Sequence, residues 1–268
     1  MQDFFDKQAF ILDMDGVVYH GNLLLPGAVE FVDWLKKHDK KFLFLTNASE
    51  RTPRELQEKM ARLGIQLEEK QFYTSALATA EFLSRQQPQC TAFVIGEAGL
   101  FNALYERGIS MNDTNPDYVV VGETRSYGYE RLEKATFLVQ DGAKLIGTCP
   151  DVSGPSEAGT IPGTGALISP IELVTGKKAY FVGKPNPLMM RRAGKRLDVP
   201  SCETLIIGDR MDTDIIAGVE SEIDTVLVLS GVTSERDLQR FPYRPNHIFA
   251  GLADIVVRLK EFEARQHC

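Results

Sequence analysis

The stretch AFILDMDGVVYHGN, Ala9 to Asn22, runs an apolar segment into two aspartates, Asp13 and Asp15, followed by Gly16. A short apolar run that stops at an acid reads as a buried strand ending at a polar edge. Carboxylates this close repel one another, and a divalent cation between them removes that penalty. The same break recurs along the chain. "KFLFLTN" ends at Thr46 and Asn47, "AYFVGK" at Lys184 and "TLIIGD" at Asp209, with Asp214 five residues further on; "TVLVLSG" follows. Between these runs lie helical patterns. Ala28, Phe31, Val32 and Leu35 are spaced for one helix face. Thr52-Pro53-Arg54-Glu55 opens another helix with a capping box, and Gly64 closes it. Buried β runs separated by helices predict a mainly parallel sheet covered on both faces, with ligands at the carboxyl ends of the strands. The reading gathers acids, small hydrogen-bonding groups and one lysine from four strand ends at one edge. Oxygen ligands of this kind suit Mg²⁺, completed by waters and a substrate phosphate.

Working outward, "VVYHGNLLL" predicts a small hairpin turning at Gly21-Asn22. Ala92 to Ile95, Tyr118 to Val121 and Lys144 to Ile146 read as further strands, and the Gly-, Pro- and Ser-rich Thr148 to Gly165 as a loop. The chain is 43% hydrophobic and 25% charged, which is globular, and its net charge of −7 argues against a general polyanion binder. No apolar run approaches the ~20 residues that span a bilayer. The four cysteines form no C-x-x-C pair, and the first residues carry both signs of charge with no signal-like apolar stretch, so a free-thiol, cytoplasmic protein is expected. Zinc-ligand, dinucleotide, P-loop and G-x-S-x-G patterns are missing from the sequence.

Taken together, "DMDGVVYHGN", "LTN", "VGKP" and "IGDRMDTD" resemble, in order and spacing, the four motifs of the haloacid dehalogenase-like phosphatase superfamily. "FYTSALATAEFL", "NPDYVVVGETRSY" and "TVLVLSGVTS" resemble its NagD-type branch, which includes nucleotide and nitrophenyl phosphatases. The resemblance implies an α/β fold with a Rossmann-like parallel sheet core, residues 1–75 and 182–268, interrupted by a smaller, mobile α/β cap, residues 76–181.

It also implies roles. Asp13 is the expected nucleophile, forming an aspartyl-phosphate. Asp15 is the expected general acid/base; since an alkoxide needs a proton to leave and a halide does not, Asp15 favours phosphate-ester over carbon–halogen cleavage. Thr46, Asn47 and Lys184 are expected to bind the phosphoryl group, with Lys184 also neutralising charge during catalysis. Asp13, the Asp15 carbonyl, Asp209 and Asp214 are the expected Mg²⁺ site, and Asp212 is expected to face solvent. The implied partner is a small phosphomonoester, with nucleoside monophosphates such as UMP or GMP favoured, nitrophenyl phosphate as an artificial substrate, and sugar, glycerol or pyridoxal phosphates as alternatives. No nucleic acid or membrane partner is expected, and no oligomeric state is assigned. The cap would choose the substrate through the 148–165 stretch, Ser156 and Glu157 included, or through "GETRSYGY". A noncatalytic binding protein on this scaffold would be expected to lack one of Asp13, Asp15, Lys184 or Asp209; all four are present.

Overall fold

The computed structural model describes residues 1–156 and 159–266. Glu157, one of the two expected specificity residues, lies outside the described residues. The chain forms two compact units: Met1–Leu45, Gln57–Phe72 and Met190–Cys268 make the first, and Thr46–Leu56 with Tyr73–Met189 the second.

The first unit is organised by a six-stranded sheet in the order His247–Phe249, Asp224–Val228, Thr204–Gly208, Ala9–Leu12, Lys41–Thr46, Phe72–Thr74. Ala9–Leu12 is central and has no exposed residue, because its side chains face covered layers on both sides of the sheet. It pairs in parallel with Thr204–Gly208 on one side and Lys41–Thr46 on the other. The chain leaves Ala9–Leu12 toward Lys41–Thr46 but leaves Thr204–Gly208 in the opposite direction, toward Asp224–Val228. That reversal opens a crevice at the carboxyl ends of the two central strands, the usual ligand position in such sheets.

The helix Ala28–Lys37 buries Phe31, Val32, Trp34 and Leu35, its apolar face. Phe31 and Trp34 stack with an interplanar angle of 12°, Trp34 meets Phe10 edge-on, and the Trp34 indole donates to Glu263 Oε1 at 3.1 Å. Burying each large side chain of this kind is worth about 1.5–3 kcal/mol. The expected hairpin is present: Tyr19–His20 pairs antiparallel with Leu23–Leu24, and Gly21 takes the left-handed conformation the turn needs.

The second unit carries its own parallel sheet, in the order Tyr180–Phe181, Lys144–Gly147, Tyr118–Val121, Thr91–Ile95, Ser110–Met111. Ile95, Val119, Val121, Leu138, Ile168 and Ile171 are among the residues of its core. Two expectations change here. The strand before Lys184 belongs to this second sheet, is two residues long and is partly exposed. The four strand ends therefore do not share one sheet; three belong to the first. The Thr148 to Gly165 stretch contains an antiparallel ribbon, Ser153–Ser156 against Gly159–Pro162, anchored by Gly163 N–H to Val152 O and Gly165 N–H to Asp151 O. Its Gly, Pro and Ser residues resemble loop composition, yet the backbone ladder needs little from their side chains. Among the described residues no helix is long and apolar enough to cross a membrane.

Candidate active site

In the first unit, carboxylate oxygens of Asp13, Asp209 and Asp214 lie within 4.8 Å of one another. Asp13 extends the ladder beyond its strand, its N–H donating to Ile207 O at 2.9 Å, which fixes it beside the end of Thr204–Gly208. Asp209 and Asp214 are buried. Asp209 Oδ2 accepts from Val232 N–H at 2.7 Å. Asp214 sits on a π-helical turn, Met211–Ile215, with Oδ2 accepting from Arg210 N–H at 3.2 Å. Wide turns of this type recur at functional sites. Asp212 points away and is bidentate with Arg210, 3.1 and 2.9 Å, on the exposed side.

Three carboxylates this close are mutually repulsive by about 4 kcal/mol per pair at ~4 Å and an effective dielectric of ~20. A hard divalent cation matches the donor set. Glycine makes the close approach possible. A Cβ on Gly231 would lie 2.0 Å from Asp209 Oδ2, and one on Gly208 2.2 Å from Asp214 Cβ. Gly16 has φ +80°, and a Cβ there would fall 2.5 Å from Asp209 Oδ2. The residues present fit a metal ion.

Asp15 lies beside the cluster in sequence and pairs with His20, whose Nδ1 is 3.3 Å from Asp15 Oδ1. Burial pushes the Asp15 carboxyl above the usual aspartate value, partly offset by the charges of His20 and Lys59. Lys59 Nζ lies 3.4 Å from the centre of the Tyr19 ring.

The second unit holds Thr46, Asn47 and Lys184, all buried. Thr46 ends its strand, with Oγ1 accepting from Ala48 N–H at 3.1 Å. The Asn47 amide binds the lysine's own backbone. Oδ1 accepts from Lys184 N–H at 2.7 Å, while Nδ2 donates to Lys184 O and Asp151 Oδ2, both at 3.0 Å. The Asn47 side chain thus clamps the Lys184 backbone. Asp151 was not singled out as a site residue by its sequence; its only signal is its place in the Pro150-Asp151 pair. Cys149 beside it is fully buried, and its thiol is held in the neutral form by that burial, then by the nearby acids Asp151 and Glu123.

A methyl group on Gly183 would meet Asn47 Oδ1 and Thr148 O, each at 2.6 Å. Gly183→Ala is therefore expected to lower kcat by about 10²-fold by displacing Lys184, and to cost about 1–3 kcal/mol of stability through overpacking. Phosphate-release kinetics and thermal melting on the same sample measure both.

The model described as haloacid dehalogenase-like hydrolase matches residues 10–110, and a second HAD-hydrolase-like model matches 181–255. The chain belongs to the haloacid dehalogenase-like hydrolases and, within them, to the NagD-type phosphatases. It is 42% identical to dihydroxyacetone phosphatase of Corynebacterium glutamicum, over 92% of this chain and 90% of that one. It is equally 42% identical to ribonucleotide monophosphatase NagD of Escherichia coli, over 92% and 97%. The solved 4-nitrophenylphosphatase of Thermotoga maritima superimposes with a TM-score of 0.91 at 34% identity, covering 95% of this chain and 98% of that one.

Proposed function

We propose that this phosphatase hydrolyses small phosphomonoesters, nucleoside monophosphates such as UMP and GMP foremost, through a phosphorylated Asp13, with Mg²⁺ as its metal. The observation that carries this reading is the convergence of Asp13, Asp209 and Asp214 at the sheet's topological reversal. Asp13, Asp209, Asp214 and the Asp15 carbonyl would hold the ion. When bound it neutralises the carboxylates and phosphate oxygens, so that an anion can attack an anion.

The chain's own groups do the rest. An Asp13 carboxylate oxygen bonds to phosphorus as the bond to the leaving oxygen breaks. Asp15, whose pKa burial raises, gives its proton to that oxygen. The resulting Asp15 carboxylate then takes a proton from water, the hydroxyl attacks the aspartyl-phosphate, and Asp13 and inorganic phosphate are released. Thr46, Asn47 and Lys184 hold the phosphoryl oxygens, and the Asn47 side chain with Asp151 also fixes where Lys184 sits. Residues 1–75 and 182–268 act as the catalytic core and 76–181 as a cap, supported by the separate sheet within 91–181; residues 46–56, 73–75 and 182–189, which group with that sheet's unit, belong to the core in this reading. A cytoplasmic location agrees with the free thiols of Cys90, Cys149 and Cys202.

Triose or sugar phosphates are the second reading, favoured by the equal identity to a dihydroxyacetone phosphatase. Phosphate release over a panel including UMP, GMP, dihydroxyacetone phosphate, glycerol phosphate, sugar phosphates and nitrophenyl phosphate separates the two. Excess chelator should abolish turnover and Mg²⁺ restore it; full turnover in chelator would refute the metal-assisted reading. If kcat/KM for the triose or a sugar ester exceeds that for every nucleotide, the second reading replaces the first.

A further inference from the structure

We propose that the turn Ser230–Thr233, and the Thr233 hydroxyl in particular, positions the acidic cluster and sets its metal affinity; this rests on the metal site read above. The turn follows the strand Asp224–Val228 and carries none of the metal-binding carboxylates. It nevertheless touches both segments that supply them. Val232 N–H donates to Asp209 Oδ2 at 2.7 Å, and Thr233 N–H donates to the Asp209 carbonyl at 3.1 Å. The buried Thr233 Oγ1 accepts from Met211 N–H at 3.3 Å, the residue that opens the π-helical turn carrying Asp214. Met211 is gripped from its other side as well, because Tyr243 Oη donates to its carbonyl at 3.0 Å. At the start of the turn, Ser230 Oγ donates to Gly16 O at 2.7 Å, one residue beyond Asp15. Gly231 fills the space between with bare backbone, 3.0 Å from where a Gly16 Cβ would stand.

This arrangement addresses a problem that the carboxylates create. Without a cation they repel, and the loops bearing them would relax outward. Each such relaxation must be reversed when metal binds, at the expense of affinity. A turn that ties the Asp209 segment to Met211 on one side and to Gly16 on the other keeps the oxygens gathered beforehand. Partners behind metal ligands commonly change affinity by about 10–100-fold when removed. Thr233 is a positioning residue: it acts through Asp209 and Met211.

The test is binding of Mn²⁺ alone, followed by the loss of the free-ion EPR signal, with Mg²⁺ as competitor. Thr233→Val keeps the shape and removes the acceptor. It should raise the apparent Kd for Mn²⁺ about tenfold or more, while kcat at saturating Mg²⁺ falls much less. Thr233→Ser should restore the affinity. An affinity within about twofold of the parent for Thr233→Val, or a serine variant as weak as the valine one, would overturn the proposal. If the valine variant does not fold, the half-buried Ser230→Ala supplies the same comparison: weakened Mn²⁺ binding supports the positioning role, and parental binding refutes it. Absence of Mn²⁺ binding in the parent, or parental binding by Asp209→Asn, would instead bring down the underlying metal site.

Discussion

Asp13→Asn is expected to lower phosphomonoester turnover by about three orders of magnitude or more while leaving the protein folded. A fall of that size raises the barrier by at least ~4 kcal/mol. The substitution keeps the side-chain shape but removes the negative charge that attacks phosphorus and that draws in the cation. Its effect on the metal-free protein should have the opposite sign. One of three mutually repelling carboxylates becomes neutral, so the melting temperature in chelator should equal or exceed the parent's. Stability gained from added Mg²⁺ should shrink at the same time. Phosphate-release assays and melts with and without Mg²⁺ report all three quantities. A folded variant with near-parental turnover would remove Asp13 from the chemistry.

Asp15→Asn should divide substrates by their leaving groups. Alkyl phosphates such as UMP need a proton on the departing oxygen, so their kcat/KM should fall about 10²–10⁴-fold. Nitrophenolate departs without much help, and its release in the first turnover should be far less affected. Water activation is lost for both substrates. The aspartyl-phosphate should therefore accumulate and produce a burst of nitrophenolate near one equivalent of enzyme, followed by a slow phase. The pH profile gives a second view. Burial raises the Asp15 pKa, so the proton-donating form persists to higher pH than an ordinary aspartate's. As pH rises through that pKa the donor is lost, and kcat/KM for alkyl phosphates should fall. This descending limb should lie above the position an ordinary aspartate would give, be shallow for nitrophenyl phosphate and vanish in Asp15→Asn. Equal, negligible effects on both esters would exclude Asp15 as the acid.

Much of this site is written in side chains and their spacing. Asp13, Thr46 and Asp209 stand where apolar runs stop, and a strand buried on both faces leaves a polar residue few other places to go. What escaped the sequence lies mostly in the backbone. Val232 grips Asp209 through an N–H that every residue except proline possesses, so no residue type announces it. The grip of Asn47 on the Lys184 backbone is hidden in the sequence for a similar reason. Its amide suits a phosphate as well as it suits the Lys184 peptide, and only the folded chain brings that peptide within 2.7 Å. Tyr180–Phe181 looked like a core strand because its apolar residues do not specify which of two sheets they join. The ribbon of Ser153–Ser156 against Gly159–Pro162 is hidden by turn-forming residues that here sit in a ladder.

The central position of Ala9–Leu12 has a consequence for how the protein is made. Its neighbour on one side, Lys41–Thr46, follows closely, but its other neighbour, Thr204–Gly208, is among the later strands to emerge from the ribosome. At ~5–20 residues per second, the first strand waits roughly 10–40 s for that partner. Meanwhile Thr91–Ile95, Tyr118–Val121 and Lys144–Gly147 can pair among themselves, since their sheet draws on a continuous middle stretch of chain. The inserted unit can thus mature while the nascent Ala9–Leu12 segment still exposes an unpaired apolar edge. That interval is when a chaperone or aggregation would compete for it, and the acidic cluster can first assemble only after Asp214 has been synthesised.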